Sequence, residues 1–235
     1  MTGTLPLLFI ATLAFVGAHL VVSNTKLRDT LIARLGDGPY KGLYSLLVAA
    51  LLVWMIFAFI NAPYEPVWSA PIGLRHLPLA LMPIAFILII AAQMRGNPAT
   101  VNSKTAQLND GPKGIFTITR HPMMWGLALW GALHMAAMGD AAAIIFFGGF
   151  IVLALAGTWF IDKKKQQLSG QAWSAYVAAT SNIPFVAALT RRASIDWRGI
   201  GFGPVIIGLV VYAILLALHE TIIGVPPASF LSGLF

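Results

Sequence analysis

Six long apolar runs dominate this sequence and leave it few folds to adopt. They lie near residues 5–22, 43–60, 77–93, 122–138, 141–161 and 203–222. Each is close to the ~20 residues that a helix needs to cross the hydrocarbon core of a bilayer. Only 10% of the residues are charged and 58% are hydrophobic, which excludes an ordinary soluble domain. We predict an all-α, polytopic integral membrane bundle with about six transmembrane helices in one domain, residues 1–235.

The basic residues are very unevenly distributed among the loops. Fourteen of the fifteen lysines and arginines fall in the first, third and fifth loops, and Arg75 is the exception. Because cytoplasmic loops are enriched in Lys and Arg, we expect these loops in the cytoplasm and both termini on the other side. This distribution accounts for the net charge of +7, so the bilayer is the expected partner and a nucleic acid is not. The first run lacks a basic segment before it and is expected to be a retained helix.

Two local patterns organise the second half of the chain. A two-residue turn at Gly139 and Asp140 predicts that the fourth and fifth spans form an antiparallel hairpin. Residues 162–202 form the largest predicted cytoplasmic loop. Its lysines alternate with Trp173 and Tyr176, which predicts a short amphipathic helix with these rings at headgroup depth.

Histidine inside a membrane span is costly and marks a candidate functional residue. The five histidines all lie in or beside predicted spans: His19, His76, His121, His134 and His219. A neutral imidazole that bonds to a neighbouring helix is the alternative for any single one. Five in one small protein favour a site.

Helix geometry predicts which histidines cooperate. His121 and His134 are thirteen residues apart, which is roughly 20 Å along a helix and places them on nearly opposite faces. They therefore cannot bind one metal ion together. His76, His134 and His219 are expected at a similar depth in the outer half, and His19 roughly 12 Å deeper than His134.

The triplet Arg120-His121-Pro122 begins the fourth span. Arg120 and His121 are well placed to hold an anionic group at that helix N-terminus. The alternative is a positive-inside anchor combined with a helix start signal, because proline suits the first helical turn.

The surroundings of His134 suggest a flat ligand. Trp130, Gly131 and other apolar residues share its helical face. Histidine is the usual ligand of non-covalent haem, and this chain has no cysteine. We predict haem b with His134 as one ligand. Zinc is disfavoured because only Asp140 and Glu220 could supply carboxylates near the outer histidines.

Long motifs carry a family resemblance. TRHPMMWGLALWGALHMAAMGD (119–140) and LHETIIGVPP (218–227) resemble the NnrU family of bacterial membrane proteins, from about Leu5 to Pro227. The resemblance implies a multi-pass protein of the bacterial inner membrane. It also implies a redox or nitric-oxide-linked role in maturing or sensing for nitrite and nitric oxide reductases, with denitrification membrane proteins as partners.

The NnrU family is similar to plant 15-cis-zeta-carotene isomerases, which contain haem b. This similarity implies two axial ligands, which fall on His19 and His134, and an apolar small-molecule substrate. A cysteine three residues before the second ligand of the isomerase falls on Gly131, which cannot ligate. A haem-dependent cis–trans isomerase of a polyene is therefore the alternative function.

The choice of ligand pair stays open on physical grounds. Two opposed axial histidines place their Cα atoms about 12 Å apart. His19 with His134 then requires a haem plane that lies fairly flat in the bilayer. His76 or His219 with His134 would hold the haem upright near the outer surface, and His76 is the main rival.

A second resemblance concerns the cytoplasmic end. The Arg-His-Pro triplet, the hairpin and the later acidic residue are similar to membrane isoprenylcysteine and phospholipid methyltransferases. That similarity implies an S-adenosylmethionine site near Arg120, His121, Asp162 and Tyr176. The acidic pair of those enzymes is reduced here to Asp162 followed by Lys163.

Overall fold

The described part of the chain is mainly helical and has no β-strand, as predicted for an all-α bundle. The structure is a computed structural model that describes residues 3–22, 26–94, 96–99, 108–225 and 227. Six long helices correspond to the six predicted spans: α1 (Leu5–Gly17), α3 (Asp37–Ile60), α4 (Ile72–Met94), α5 (Pro122–Met138), α6 (Ala141–Ala178) and α9 (Phe202–Ile223). The first span also includes the π-helical turn Ala18–Val22 that follows α1. Short elements lie between them: α2 (Lys26–Leu35), a 3₁₀ turn (Gly114–Thr117), α7 (Val186–Leu189) and α8 (Trp197–Ile200).

Within the described ranges, five helices are at least 18 residues long and apolar enough to cross a membrane. These are α3, α4, α6, α9 and α1 together with the π-helical turn Ala18–Val22 that continues it. Helix α5 has 17 residues, which is the lower limit of the usual length of roughly 17–25 residues. The chain is therefore a multi-pass membrane protein. Its orientation in the membrane stays a prediction, and Arg95 and Lys104 of the third loop lie outside the described residues.

The long helices follow one another as a chain of neighbours. Helix α5 packs between α4 and α6; α1 packs on α6, α3 on α1, and α9 on α4. Close approach of α5 to its neighbours depends on small residues. A Cβ at Gly126 would lie only 2.8 Å from the carbonyl oxygen of Ala85 on α4, and one at Gly131 only 3.1 Å from that of Phe147 on α6.

The turn between α5 and α6 confirms the predicted hairpin. Gly139 has φ 69° and ends α5 in the left-handed conformation, which glycine adopts without steric cost. The Asp140 side chain then accepts a hydrogen bond from the Ala143 amide at 3.0 Å and caps α6.

Three helices extend well beyond their predicted bounds. Helix α4 begins at Ile72, five residues before its apolar run. Helix α3 begins at Asp37, six residues before the apolar run, where Lys41 forms an i,i+4 ion pair with Asp37 at 2.5 Å. Helix α6 continues past its apolar run to Ala178 and bends at Gly170, where φ is 45° and ψ is −115°. The prediction of a separate surface helix is thus replaced by a bent extension of α6.

The predicted headgroup position of two aromatic residues is wrong. Trp173 and Tyr176 are each only 1% exposed. Their rings stack at 5.6 Å and pack against Ala99 and Leu108 of the third loop. The loop covers rings that would otherwise face water or headgroups, and its distance in sequence explains why the pattern of α6 alone did not reveal this.

Candidate functional site

Three histidines share one hydrogen-bonding arrangement. In His19, His134 and His76, Nδ1 lies 3.0, 3.0 and 2.8 Å from the carbonyl oxygen of the residue four positions earlier. A carbonyl oxygen only accepts, so in the neutral ring Nδ1 carries the proton and Nε2 carries the lone pair. Metal-binding histidines are commonly oriented in this way, with one ring nitrogen donating to the backbone.

His19 lies in an unusual backbone segment. Helix α1 changes at Ala18 into a π-helical turn that ends at Val22. Such turns are rare and occur frequently at functional sites. The imidazole contacts the ring of Phe15 edge-on at 4.6 Å and that of Tyr44 at 6.3 Å. The backbone irregularity therefore coincides with one of the two predicted ligands.

His134 is surrounded by aromatic rings. Its imidazole stacks almost parallel on Phe147, with 4.7 Å between centroids and 8° between planes. Trp130, one turn earlier on α5, lies 5.0 Å away. His134 is thus partly buried between α5 and α6, at the face predicted from sequence.

A series of ring contacts joins His134 to His19. The centroid distances are 5.0 Å from His134 to Trp130, 5.4 Å from Trp130 to Phe150, 5.6 Å from Phe150 to Phe15 and 4.6 Å from Phe15 to His19. Helices α5, α6 and α1 contribute to this series in turn. The two imidazoles therefore belong to one aromatic cluster inside the bundle.

The depth difference between the two imidazoles follows from helix register. His134 contacts Phe147, and Phe150 contacts Phe15. Helices α1 and α6 run in the same direction, because the end of α3 lies beside the beginning of both. Three residues on α6 and four on α1 then separate the two levels, which is about 10 Å at 1.5 Å per residue. This value is close to the 12 Å expected from sequence.

His76 and His219 lie near the same end of the bundle as His134, close to its level, as predicted. On the antiparallel helices α4 and α9, Gly208 packs against Ile87. His219 and His76 are each eleven residues from this contact, toward the same end. His219 is also an electrostatic neighbour of His134. Within the described ranges, no three His, Asp or Glu side chains come together as metal ligands.

Gly131 leaves no space beside His134 for a larger side chain. A Cβ at this position would meet both the Phe147 carbonyl oxygen and Ile151 Cγ1 at 3.1 Å. These atoms belong to α6, which approaches α5 closely at this point. A side chain at this position would therefore require the neighbouring atoms of α6 to move by a few tenths of an ångström, so a larger side-chain ligand is sterically disfavoured.

A polar cluster of Arg120, His121 and Asp162 lies at the other end of α5 from His134. Arg120 Nε donates to both carboxylate oxygens of Asp162 at 3.1 and 3.0 Å, and Arg120 Nη2 also bonds to this carboxylate. His121 Nε2 lies 2.6 Å from Asp162 Oδ1. The structure thus brings the adjacent residues Arg120 and His121 together with Asp162, which lies 42 and 41 positions later in the sequence.

His121 differs from His19, His76 and His134 in the ring nitrogen that makes the hydrogen bond, which is Nε2 and not Nδ1. Because a carboxylate accepts, Nε2 carries the proton in the neutral ring. Burial lowers the pKa of His121 below its ordinary value, although the hydrogen bond to Asp162 acts in the opposite direction. Arg120 and His121 are thus engaged in holding α5 to α6 through Asp162, and their role as an anion site stays a prediction.

Asn182 also links α5 to α6 beside this cluster, and the sequence analysis did not predict it. Its side chain accepts from Trp125 Nε1 at 3.2 Å and donates to Thr158 Oγ1 at 2.8 Å. The backbone amide of Arg120 bonds to the carbonyl oxygen of Ser181 at 3.0 Å. No periodic pattern links these positions; the turn-forming sequence NIPF (182–185), which begins with Asn182, is the one local signal in this segment.

Comparison with known proteins agrees with the resemblance seen in the motifs. The chain is 27% identical over 195 residues to a protein named 15-cis-zeta-carotene isomerase, chloroplastic, of Zea mays, covering 79% of this chain and 51% of that protein. It is 28% identical over 174 residues to the protein of the same name of Arabidopsis thaliana, covering 71% and 46%. The chain thus spans about half the length of these curated relatives. No solved structure is significantly similar.

The family model described as NnrU protein matches residues 7–227. This match covers α1 from its third residue, the other five long helices, the aromatic cluster of His19 and His134, and the polar cluster of Arg120, His121 and Asp162. The chain belongs to the NnrU family.

Proposed function

We propose that this chain binds haem b through His19 and His134 and acts as a cis–trans isomerase of an apolar polyene. The observation that carries the proposal is the pair of imidazoles in one aromatic cluster, each with its Nδ1 proton donated to the backbone. The names of the plant relatives support the reaction type. Because the chain spans only half of those proteins, their substrate is carried over here as part of the proposal.

The residues fit haem in ligand chemistry and in separation. Neutral imidazoles with a lone pair on Nε2 are the donors that haem iron takes in proteins without cysteine. Their levels differ by about 10 Å, and two opposed axial histidines place their Cα atoms about 12 Å apart. The rings of Phe15, Phe150 and Trp130 lie along the path between them, so these rings would have to rotate as the macrocycle enters.

The bound group would supply reversible one-electron chemistry at a site within the membrane. The chain's own residues would bind an apolar ligand and exclude water. Phe146, Phe147 and Phe150 on α6 give an apolar, aromatic surface next to His134. Aromatic faces suit a flat conjugated chain, because offset stacking adds to the burial of apolar area.

A second candidate is a redox or nitric-oxide-linked role in maturing or sensing for nitrite and nitric oxide reductases. The crowding at Gly131 favours it. With no side chain there, coordination would stay with imidazoles alone, which suits electron transfer better than ligand exchange with a substrate. Membrane proteins of denitrification would then be its partners. Under either function we propose the bacterial inner membrane as its location.

The test begins with haem content. The full chain, produced with sufficient iron and purified in detergent, is compared with three single variants: His19→Ala, His134→Ala and His76→Ala. We expect haem absorbance in the parent protein and in H76A, and its loss in H19A and H134A. The H76A variant is the matched control, because it removes an imidazole with the same backbone hydrogen bond.

The reaction is tested separately. Cells that accumulate a 15-cis polyene are given the parent chain or H134A, and the isomers are separated chromatographically. Conversion by the parent chain alone supports the isomerase. A haem-loaded parent protein that leaves the polyene unchanged refutes the isomerase and favours the redox role. A parent protein without haem refutes both candidates.

A further inference from the structure

We propose that the bend of α6 at the cytoplasmic end forms a binding site for the phosphate of an anionic phospholipid. A cleft of about 320 Å³ lies there, lined by Arg120, Asp162, Lys163, Gln166, Trp159 and Trp173, among others. This site is separate from the imidazole pair, so it does not depend on haem binding.

Two basic side chains that line the cleft, Arg120 and Lys163, can donate hydrogen bonds to a phosphate. Asp162 is compensated by Arg120 and His121. In the described structure, Arg120 Nη1 has no hydrogen-bond partner, and Lys163 makes no ion pair. Guanidinium and ammonium donors that converge on one cleft are the usual ligands of phosphate.

Aromatic residues form the walls of the cleft. Trp173, just past the bend at Gly170, is buried, and Trp159 is largely exposed. The Lys163 ammonium is held 5.2 Å from the centroid of the Trp159 ring. An exposed indole ring beside a basic side chain, as at Trp159 and Lys163, is typical of the headgroup region of a membrane.

The surface next to the cleft identifies the ligand as a lipid. Val152, Leu155 and Trp159 are exposed on α6, and their spacing places them on the helical face that continues to Lys163. An acyl chain on this stripe would carry its phosphate directly into the cleft. Basic pockets on the cytoplasmic side of helical membrane proteins bind anionic headgroups in this way.

The test uses native mass spectrometry on the full chain in detergent, equilibrated with equal amounts of phosphatidylglycerol and phosphatidylcholine. We expect the parent protein to retain phosphatidylglycerol preferentially. Lys163→Gln should lower that preference about fivefold, the value expected for one basic group at a membrane surface. Lys41→Gln should leave it unchanged; Lys41 is exposed, pairs with Asp37 and lies outside the cleft.

Three outcomes would overturn the proposal. The first is equal retention of the two lipids by the parent protein. The second is an equal loss of preference in K163Q and K41Q, which would reveal a general effect of surface charge. The third is displacement of the lipid by millimolar inorganic phosphate, which would assign the cleft to a soluble phosphate. Because Lys163 is exposed, K163Q is expected to fold, and its elution from a sizing column checks this.

Discussion

Replacing Asp162 by asparagine tests the account of how α5 is held to α6. The carboxylate accepts from Arg120 and His121 at once. Its side chain is 20% exposed, and those of Arg120 and His121 are 10% and 1% exposed. The Asp162→Asn change keeps the shape but leaves the guanidinium without a counter-charge.

The expected magnitude follows from this burial. Breaking a buried ion pair by removing one partner costs about 3–5 kcal/mol. We expect about 3 kcal/mol here, because the carboxylate is partly exposed to solvent. The matched control is Asp37→Asn, whose partner Lys41 is 55% exposed; breaking such a surface pair costs under about 1 kcal/mol.

The assay is equilibrium unfolding of the detergent-purified chain in increasing sodium dodecyl sulfate, followed by circular dichroism. A double-mutant cycle with Arg120→Gln isolates the pair from other effects. We expect a coupling energy of at least about 1.5 kcal/mol, since charge-assisted bonds of this kind are the stronger ones. If D162N lowers the free energy of unfolding no more than D37N does, the cluster of Arg120, His121 and Asp162 does not hold α5 to α6, and the reasoning is refuted.

Two further predictions concern packing and pH. Gly126→Ala should lower the thermal midpoint, because its Cβ would lie 2.7 Å from Ile89 Cγ1 and 2.8 Å from the Ala85 carbonyl oxygen, an overpacking cost of about 1–3 kcal/mol. Gly148→Ala, whose Cβ meets nothing within 4 Å, should be neutral or stabilising, and equal effects of the two changes would contradict the close approach of α4 and α5. Burial lowers the pKa of His121 in the folded chain. Below about pH 6.5 the unfolded chain therefore binds a proton that the folded chain does not, and the free energy of unfolding should decrease as the pH is lowered. Melting curves between pH 7.5 and 5.5 check this, and a His121→Gln variant with the same pH dependence would show that another group is responsible.

Most of the fold could be predicted from the hydrophobic pattern and the composition of the sequence. The apolar runs predicted all six long helices, because a segment of about 20 apolar residues has few alternatives to a span. The ends of α3 and α6 were missed because polar residues continued the helices beyond the hydrocarbon core. At Asp37 and Lys41 an i,i+4 ion pair stabilises the extension, and hydropathy does not register it.

The candidate site was predictable in parts. Individual histidines and their depths followed from the rise of a helix, as the levels of His76, His134 and His219 show. The contact of Arg120 and His121 with Asp162 depends on how two distant segments pack, so spacing alone does not reveal it. Only the resemblance to membrane methyltransferases placed these three residues at one site. The same holds for Trp173 and Tyr176, which a loop distant in sequence buries.

Haem content, measured as the pyridine haemochrome of purified protein, tests the central claim most directly. The account predicts stoichiometric haem in the parent chain and in H76A, and its loss in H134A, whose fold is checked by circular dichroism. A folded H134A protein that retains the haem of the parent chain would contradict the assignment of His134 as a ligand.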